Sequence, residues 1–109
     1  MSVIEFQAIP HQTHDGVPYT HVHIQITSEN GVIVPSDLNG IVCPGVDLSQ
    51  GVVIEGKAPI WLYAYLIAKW HLAIWVGTYD PRLGVVVVSR RTGRVSIGDV
   101  LNVELPNLE

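Results

Sequence analysis

A chain of 109 residues with 48% hydrophobic residues and a mean hydropathy of +0.32 is expected to form one domain over residues 1–109, with more apolar surface than a small core needs. That surplus points to cover by a second subunit, and a net charge of −4 argues against a general nucleic-acid binder. A single cysteine, Cys43, excludes an internal disulfide framework and agrees with a cytoplasmic setting.

The charge is unevenly spread. All six basic residues lie between positions 57 and 94, where Asp80 is the only acid, so that segment is +5 and the remainder −9. A cationic zone inside an acidic chain suits a compact polyanion better than long duplex DNA. The longest apolar run, residues 58–68, is too short to cross a bilayer. No basic-then-apolar leader is visible, so neither a membrane nor secretion is expected.

In chain order, residues 3–9 alternate well enough for a strand ending at Pro10. Asp15-Gly16 and Pro18 mark a loop. Residues 20–27 alternate more cleanly, with Val22, Ile24 and Ile26 on one face and His21, His23 and Gln25 on the other. A hairpin of these two strands is the economical assignment. Asn30-Gly31 is a turn, and residues 32–34 fit either a short strand or the lead into a helical turn near residues 36–38. Residues 52–55 are apolar enough for a central strand.

Pro59 then opens a helix that runs to about Trp70 and is apolar nearly all round, so more than one of its faces needs cover. Residues 73–79 form the next strand, and residues 80–84 turn into Val85-Val86-Val87-Val88, expected to be buried on both faces. A polar turn at residues 90–93 leads to a last strand at residues 100–105. The sum is an α+β fold with an antiparallel or mixed sheet of five or six strands and one principal helix.

Four groups of residues carry potential chemistry. His21 and His23 share a strand face, with His11, His14 and Asp15 nearby. That set is either a zinc or copper site or the solvated face of an edge strand. Asp80-Pro81-Arg82 projects a carboxylate and a guanidinium from a rigid turn, fit to hold a cation and a phosphate, or simply to bond to each other. His71, at the end of the helix, is either a proton-transfer group or a partner of the helix dipole. Lys57 precedes the helix N-terminus, where anions are favoured, but the glycines of a phosphate-binding loop are missing.

If residues 72–79 are extended, His71 and Asp80 stand roughly 25–30 Å apart at about 3.3 Å per residue. They then cannot meet in one protomer. Either only one of them is functional, or another subunit completes the site.

Residues 51–56 (Gly-Val-Val-Ile-Glu-Gly), 59–63 (Pro-Ile-Trp-Leu-Tyr), His71, residues 79–84 (Tyr-Asp-Pro-Arg-Leu-Gly) and the four valines resemble the Csx-three, or Crn-three, family of type III CRISPR systems. The resemblance covers roughly residues 51–104. It implies a small ferredoxin-like protein that dimerises and cleaves cyclic tetra-adenylate, a second messenger of antiviral defence, with manganese or another divalent cation as cofactor. It further implies a ring held between dimers that stack into tetramers or filaments. His71, Asp80 and Arg82 fall on the family's active residues. Read from the residues themselves, Asp80 is expected to orient a divalent cation or the attacking hydroxyl, and Lys57, Arg82 and Arg90 to contact the ligand. Trimming of RNA 3′ ends by deadenylation is also linked to the family. The chain departs from the pattern at Ala58, where a glycine is usual, and at Arg90, where a histidine often stands.

Beside a ring nuclease, the residues admit a non-catalytic binder of cyclic oligoadenylate and a metal-binding or structural module built on the histidine strand.

Overall fold

The computed structural model describes residues 2–106. Six strands, β1 (Ile4–Gln12), β2 (Pro18–Ile26), β3 (Gly51–Glu55), β4 (Trp75–Asp80), β5 (Gly84–Arg90) and β6 (Val100–Leu101), form one sheet in sequential order. One α-helix, α1 (Ile60–Lys69), joins β3 to β4, and a short 3-10 helix at Pro35–Gly40 interrupts the connection from β2 to β3. The β1–β2, β4–β5 and β5–β6 pairs are antiparallel, whereas β2–β3 and β3–β4 are parallel. The fold is therefore α+β with a mixed sheet and one principal helix, compatible with the ferredoxin-like expectation.

Parallel neighbours need long crossovers, and here residues 27–50 and residues 56–74 supply them. Both pack on one face of the sheet. Leu62, Leu66 and Trp70 of the second crossover and Ile33 of the first join Val22, Ile24, Val52, Ile54 and Val76 in the main core. Strand parity sends the alternate residues to the opposite face, where Tyr19, Val53, Trp75, Val85 and Val87 meet Val17 and Val95 from the loops. Val103 packs there too, and Glu104 reaches β1, its carbonyl oxygen 2.8 Å from His11 Nε2.

Several boundaries differ from the sequence expectation. β1 runs through Pro10 to Gln12, because β1 is an edge strand where a missing N–H costs little. Residues 32–34 form no strand. β4 starts at Trp75, since Ala73 closes a turn onto the Trp70 carbonyl. The valine run is buried on one face only: Val85 and Val87 are enclosed, while Val88 is 40% exposed. No β5 residue belongs to the core around α1, and a register shift opposite Val76 and Gly77 displaces Val88 from the ladder. The last strand shrinks to two residues because the chain beyond it leaves the sheet to cover the far face.

The helix meets its requirement for cover only in part. Leu62 and Leu66 are buried, yet Ile60 is 84% exposed. Ile60, Ala64 and Ile67 line an apolar groove with Thr78 and Val88. No helix among the described residues is long and apolar enough to cross a membrane.

Candidate functional site

Because β2, β3 and β4 run parallel and in register, their C-terminal residues Ile26, Glu55 and Asp80 lie along one edge of the sheet. Ligand sites in sheets with parallel strands favour this edge. The turn leaving β3 is fixed by Gly56, whose φ of +134 no L side chain adopts readily, and by Tyr63, whose hydroxyl donates to the Gly56 carbonyl at 2.6 Å. Burial pushes the Tyr63 phenol up to about 12, with the Glu55 charge adding to it, so it stays a donor. This turn delivers exposed Lys57 beside the N-terminus of α1. That end has no side-chain cap and no acid in its first turn, so its field is open to an anion.

Asp80 ends β4, and Arg82 sits on the following turn. Asp80 Oδ1 accepts the Arg82 backbone N–H at 2.8 Å and lies 3.4 Å from Nε, while Oδ2 lies 3.3 Å from Nη2. The Arg82 side-chain bond is the main reason the Asp80 carboxyl is held below the usual range, and Asp80 raises Arg82 in return. The Arg82 side chain is 85% exposed, so its guanidinium can turn from Asp80 to a phosphate with little desolvation.

His71 lies at the other edge. It follows the C-terminus of α1, next to the start of β4, with its Nδ1 2.8 Å from the Ala68 carbonyl oxygen that it caps. β4 alone spans about 17 Å at ~3.3 Å per residue, so the turn at residues 70–74 shortens the sequence-based separation without bringing the two ends together. Arg90 pairs with Trp75 and so belongs to the His71 edge. Its Nε donates to the Val95 carbonyl at 2.6 Å and its Nη2 lies 3.2 Å from the Gly93 carbonyl, closing the loop after β5. Arg91 donates to the Leu72 carbonyl at 3.0 Å on the same side. The fold thus gathers Lys57, Asp80 and Arg82 on one edge and His71 and Arg90 on the other.

The donor set for a cation is thin. Asp80 is a single carboxylate already engaged by Arg82, and among the described residues no group of three or more His, Cys, Asp or Glu could hold a metal ion. At this turn the described residues offer a hard divalent cation one carboxylate, which a ligand's phosphates and water would have to supplement.

The histidine strand is not an edge strand, because β2 lies between β1 and β3. His21 is fully buried, and both His21 and His23 bond to Glu55, which sequence reasoning had left unassigned. His11 packs edge-on against Tyr19, with ring centroids 5.5 Å apart. Of the aromatic rings, Trp70, Trp75 and Tyr19 are core residues, while Phe6, Trp61, Tyr63, Tyr65 and Tyr79 are partly accessible.

The protein is thus a small α+β domain whose mixed sheet carries cationic groups on both edges, with a carboxylate–guanidinium turn on one and a helix-end histidine on the other. Residues 26–102 match the family model described as CRISPR-associated protein (Cas_csx3), and the chain belongs to that family. It is also similar to an uncharacterized protein of Aquifex aeolicus (strain VF5), 39% identical over 77 residues that cover 66% of this chain and 69% of that relative. The family match begins at the last residue of β2, so His11, His14, His21 and His23 lie upstream of it.

Proposed function

We propose that this CRISPR-associated protein is a ring nuclease that cleaves cyclic tetra-adenylate at a site closed between stacked copies. The observation that carries the proposal is the division of chemistry between edges: Asp80, Arg82 and Lys57 on one, His71 and Arg90 on the other. An edge-to-edge contact of two copies brings the sets together, and a cyclic tetranucleotide is a compact tetra-anion suited to lie between them.

In this reading Arg82 and Lys57 neutralise phosphate charge, and Arg90 adds a contact from the facing copy. Asp80 orients an attacking hydroxyl, for which the ribose 2′-hydroxyl is the nearest nucleophile. His71 of the facing copy, its Nδ1–H held by Ala68, acts as an imidazolium and gives its Nε2 proton to the leaving oxygen, while the proton of the attacking hydroxyl passes to water. Manganese or another divalent cation, when bound, would supply charge neutralisation at the phosphate, with Asp80 as its one protein oxygen ligand. The groove of Ile60, Ala64, Ile67 and Val88 is lined also by Tyr79, Asp80 and Pro81, so it opens onto the Asp80 edge at which copies stack into dimers, tetramers or filaments.

Incubation with cyclic tetra-adenylate and Mn²⁺, followed by mass spectrometry, should give linear products, and Asp80→Ala should abolish them. Unaltered cleavage by Asp80→Ala would sink the proposal. A non-catalytic binder is the second reading, favoured by the fact that both Asp80 oxygens are occupied by Arg82 in the free protomer. It predicts saturable binding with the ring recovered intact. Loss of terminal adenylates from linear RNA, with the ring untouched, would move the substrate to RNA 3′ ends.

A further inference from the structure

On the sheet face away from α1, the parallel pair β2–β3 builds a second cluster. His21 lies opposite Val53 and His23 opposite Glu55 in register, so both imidazoles flank one carboxylate. His21 Nε2 is 2.9 Å and His23 Nδ1 2.8 Å from the same oxygen, Glu55 Oε1. An ionised carboxylate only accepts hydrogen bonds, so each ring turns an N–H toward it and keeps a lone pair on its other nitrogen.

The two rings then differ in what that lone pair meets. His21 Nδ1 is enclosed and has no partner, which makes His21 an anchor for Glu55. The His23 ring is 26% exposed, and its Nε2 is bonded to nothing among the described residues. It borders a cleft of about 480 Å³ at the C-terminal edge, lined also by Gln25, Gly31, Glu55, Gly56 and Lys57. A base held by a carboxylate, which is itself held by a buried group, beside a cation at an open cleft, is the arrangement of an oriented general base. The titratable and polar groups around His23 are few. They are His21 on β2, Glu55 on β3, Lys57 beyond the edge, and on β1 Gln7 opposite in register with Glu5 one step further. His11 stands farther along the same face and acts on His21.

We infer that His23 is a catalytic base for a ribonucleotide phosphodiester bound in this cleft, with Glu55 and His21 as positioning residues and Lys57 as the phosphate contact. His23 Nε2 removes the proton of a ribose 2′-hydroxyl as the O2′–P bond forms and the bond from phosphorus to the 5′ oxygen breaks. The 5′ oxygen leaves with a proton from water, and His23 returns its own proton to solvent. The products are a 2′,3′-cyclic phosphate and a free 5′-hydroxyl. Glu55 balances the imidazolium during the step. The inference rests on the phosphodiester reading above only for the identity of the substrate.

Two measurements on the full chain test it. In ¹⁵N-resolved NMR of the histidine rings, adenosine 5′-monophosphate, which carries no diester to cleave, should shift the His23 ring resonances saturably, and Lys57→Ala should abolish the shift. His23 resonances that ignore the nucleotide overturn the inference. In cleavage assays of the linear dinucleotide adenylyl-(3′→5′)-adenosine, His23→Gln should slow the reaction by about 100-fold or more. Glu55→Gln should lower kcat and leave KM for the dinucleotide unchanged, because Glu55 acts on the substrate only through the His23 ring. Thermal melts establish that each variant is folded at the assay temperature. If the wild type leaves cyclic tetra-adenylate intact but cleaves the dinucleotide and needs His23 to do so, the ring-nuclease reading fails and this site stands. If the wild type does not cleave the dinucleotide, or His23→Gln cleaves it at the wild-type rate, this site fails and the ring-nuclease reading is untouched.

Discussion

Protonating His21 would place a second N–H inside the sheet with no acceptor, since Nδ1 is already enclosed without a partner. Burial accordingly pushes the His21 imidazole below its ordinary value of 6.5, against the opposing pull of Glu55. Burial by itself would raise the Glu55 carboxyl, but the bonds from His21 and His23 prevail and hold it below its ordinary 4.5. Both folded-state values lie below those of the unfolded chain. The unfolded state therefore binds more protons in acid, and stability falls as pH falls. The His21 share is complete above pH 6.5 and is lost below it, while the Glu55 share is lost only below 4.5. Melting temperature should thus begin to drop as pH passes below 6.5. His21→Gln, whose side chain does not titrate, should flatten the upper part of that slope, and an unchanged slope would refute the assignment.

Among the elements, β3 tolerates least. Its first four residues are buried, and ladders hold it on both sides. A Cβ added at Gly51 would overlap the Trp75 ring, and neither backbone can move aside. Gly51→Ala should cost about 1–3 kcal/mol in chemical denaturation, as overpacking does. Gly45→Ala, which meets open space, should stay within about 0.5 kcal/mol of the parent. β3 and α1 were legible in the sequence because a short apolar run and a proline-started helix are local signals. The opposite placement of His71 and Asp80 followed from chain order alone, and the structure keeps it.

What stayed hidden depended on neighbours far away in sequence. Residues 27–50 separate β2 from β3, and no local pattern reveals that such strands pair in parallel, so Glu55 could not be set beside His21 and His23. The valine run misled for a related reason. Its composition reports β-propensity, but cover depends on where α1 lies, and α1 leaves Val88 open.

For the whole molecule, the two-edge arrangement makes a prediction that no single-protomer site shares. His71→Ala and Asp80→Ala should each be inactive alone. Mixed, they should regain activity, because one variant keeps an intact His71 edge and the other an intact Asp80 edge. Random stacking makes about one quarter of the contacts competent. Rate measurements across mixing ratios should peak near equal amounts, and a mixture as inactive as its components would rule out a shared site.

The sequential strand order also sets a schedule for the folding chain. The β1–β2 and β4–β5 hairpins close over short turns, whereas the parallel pairings wait on the closure of residues 27–50 and 56–74. The bonds from His21 and His23 to Glu55 span one of those late pairings. In a half-folded chain the two imidazoles are ordinary surface bases, and they acquire their shared carboxylate only when the centre of the sheet locks. Their ring resonances are therefore a clock for the completion of the fold.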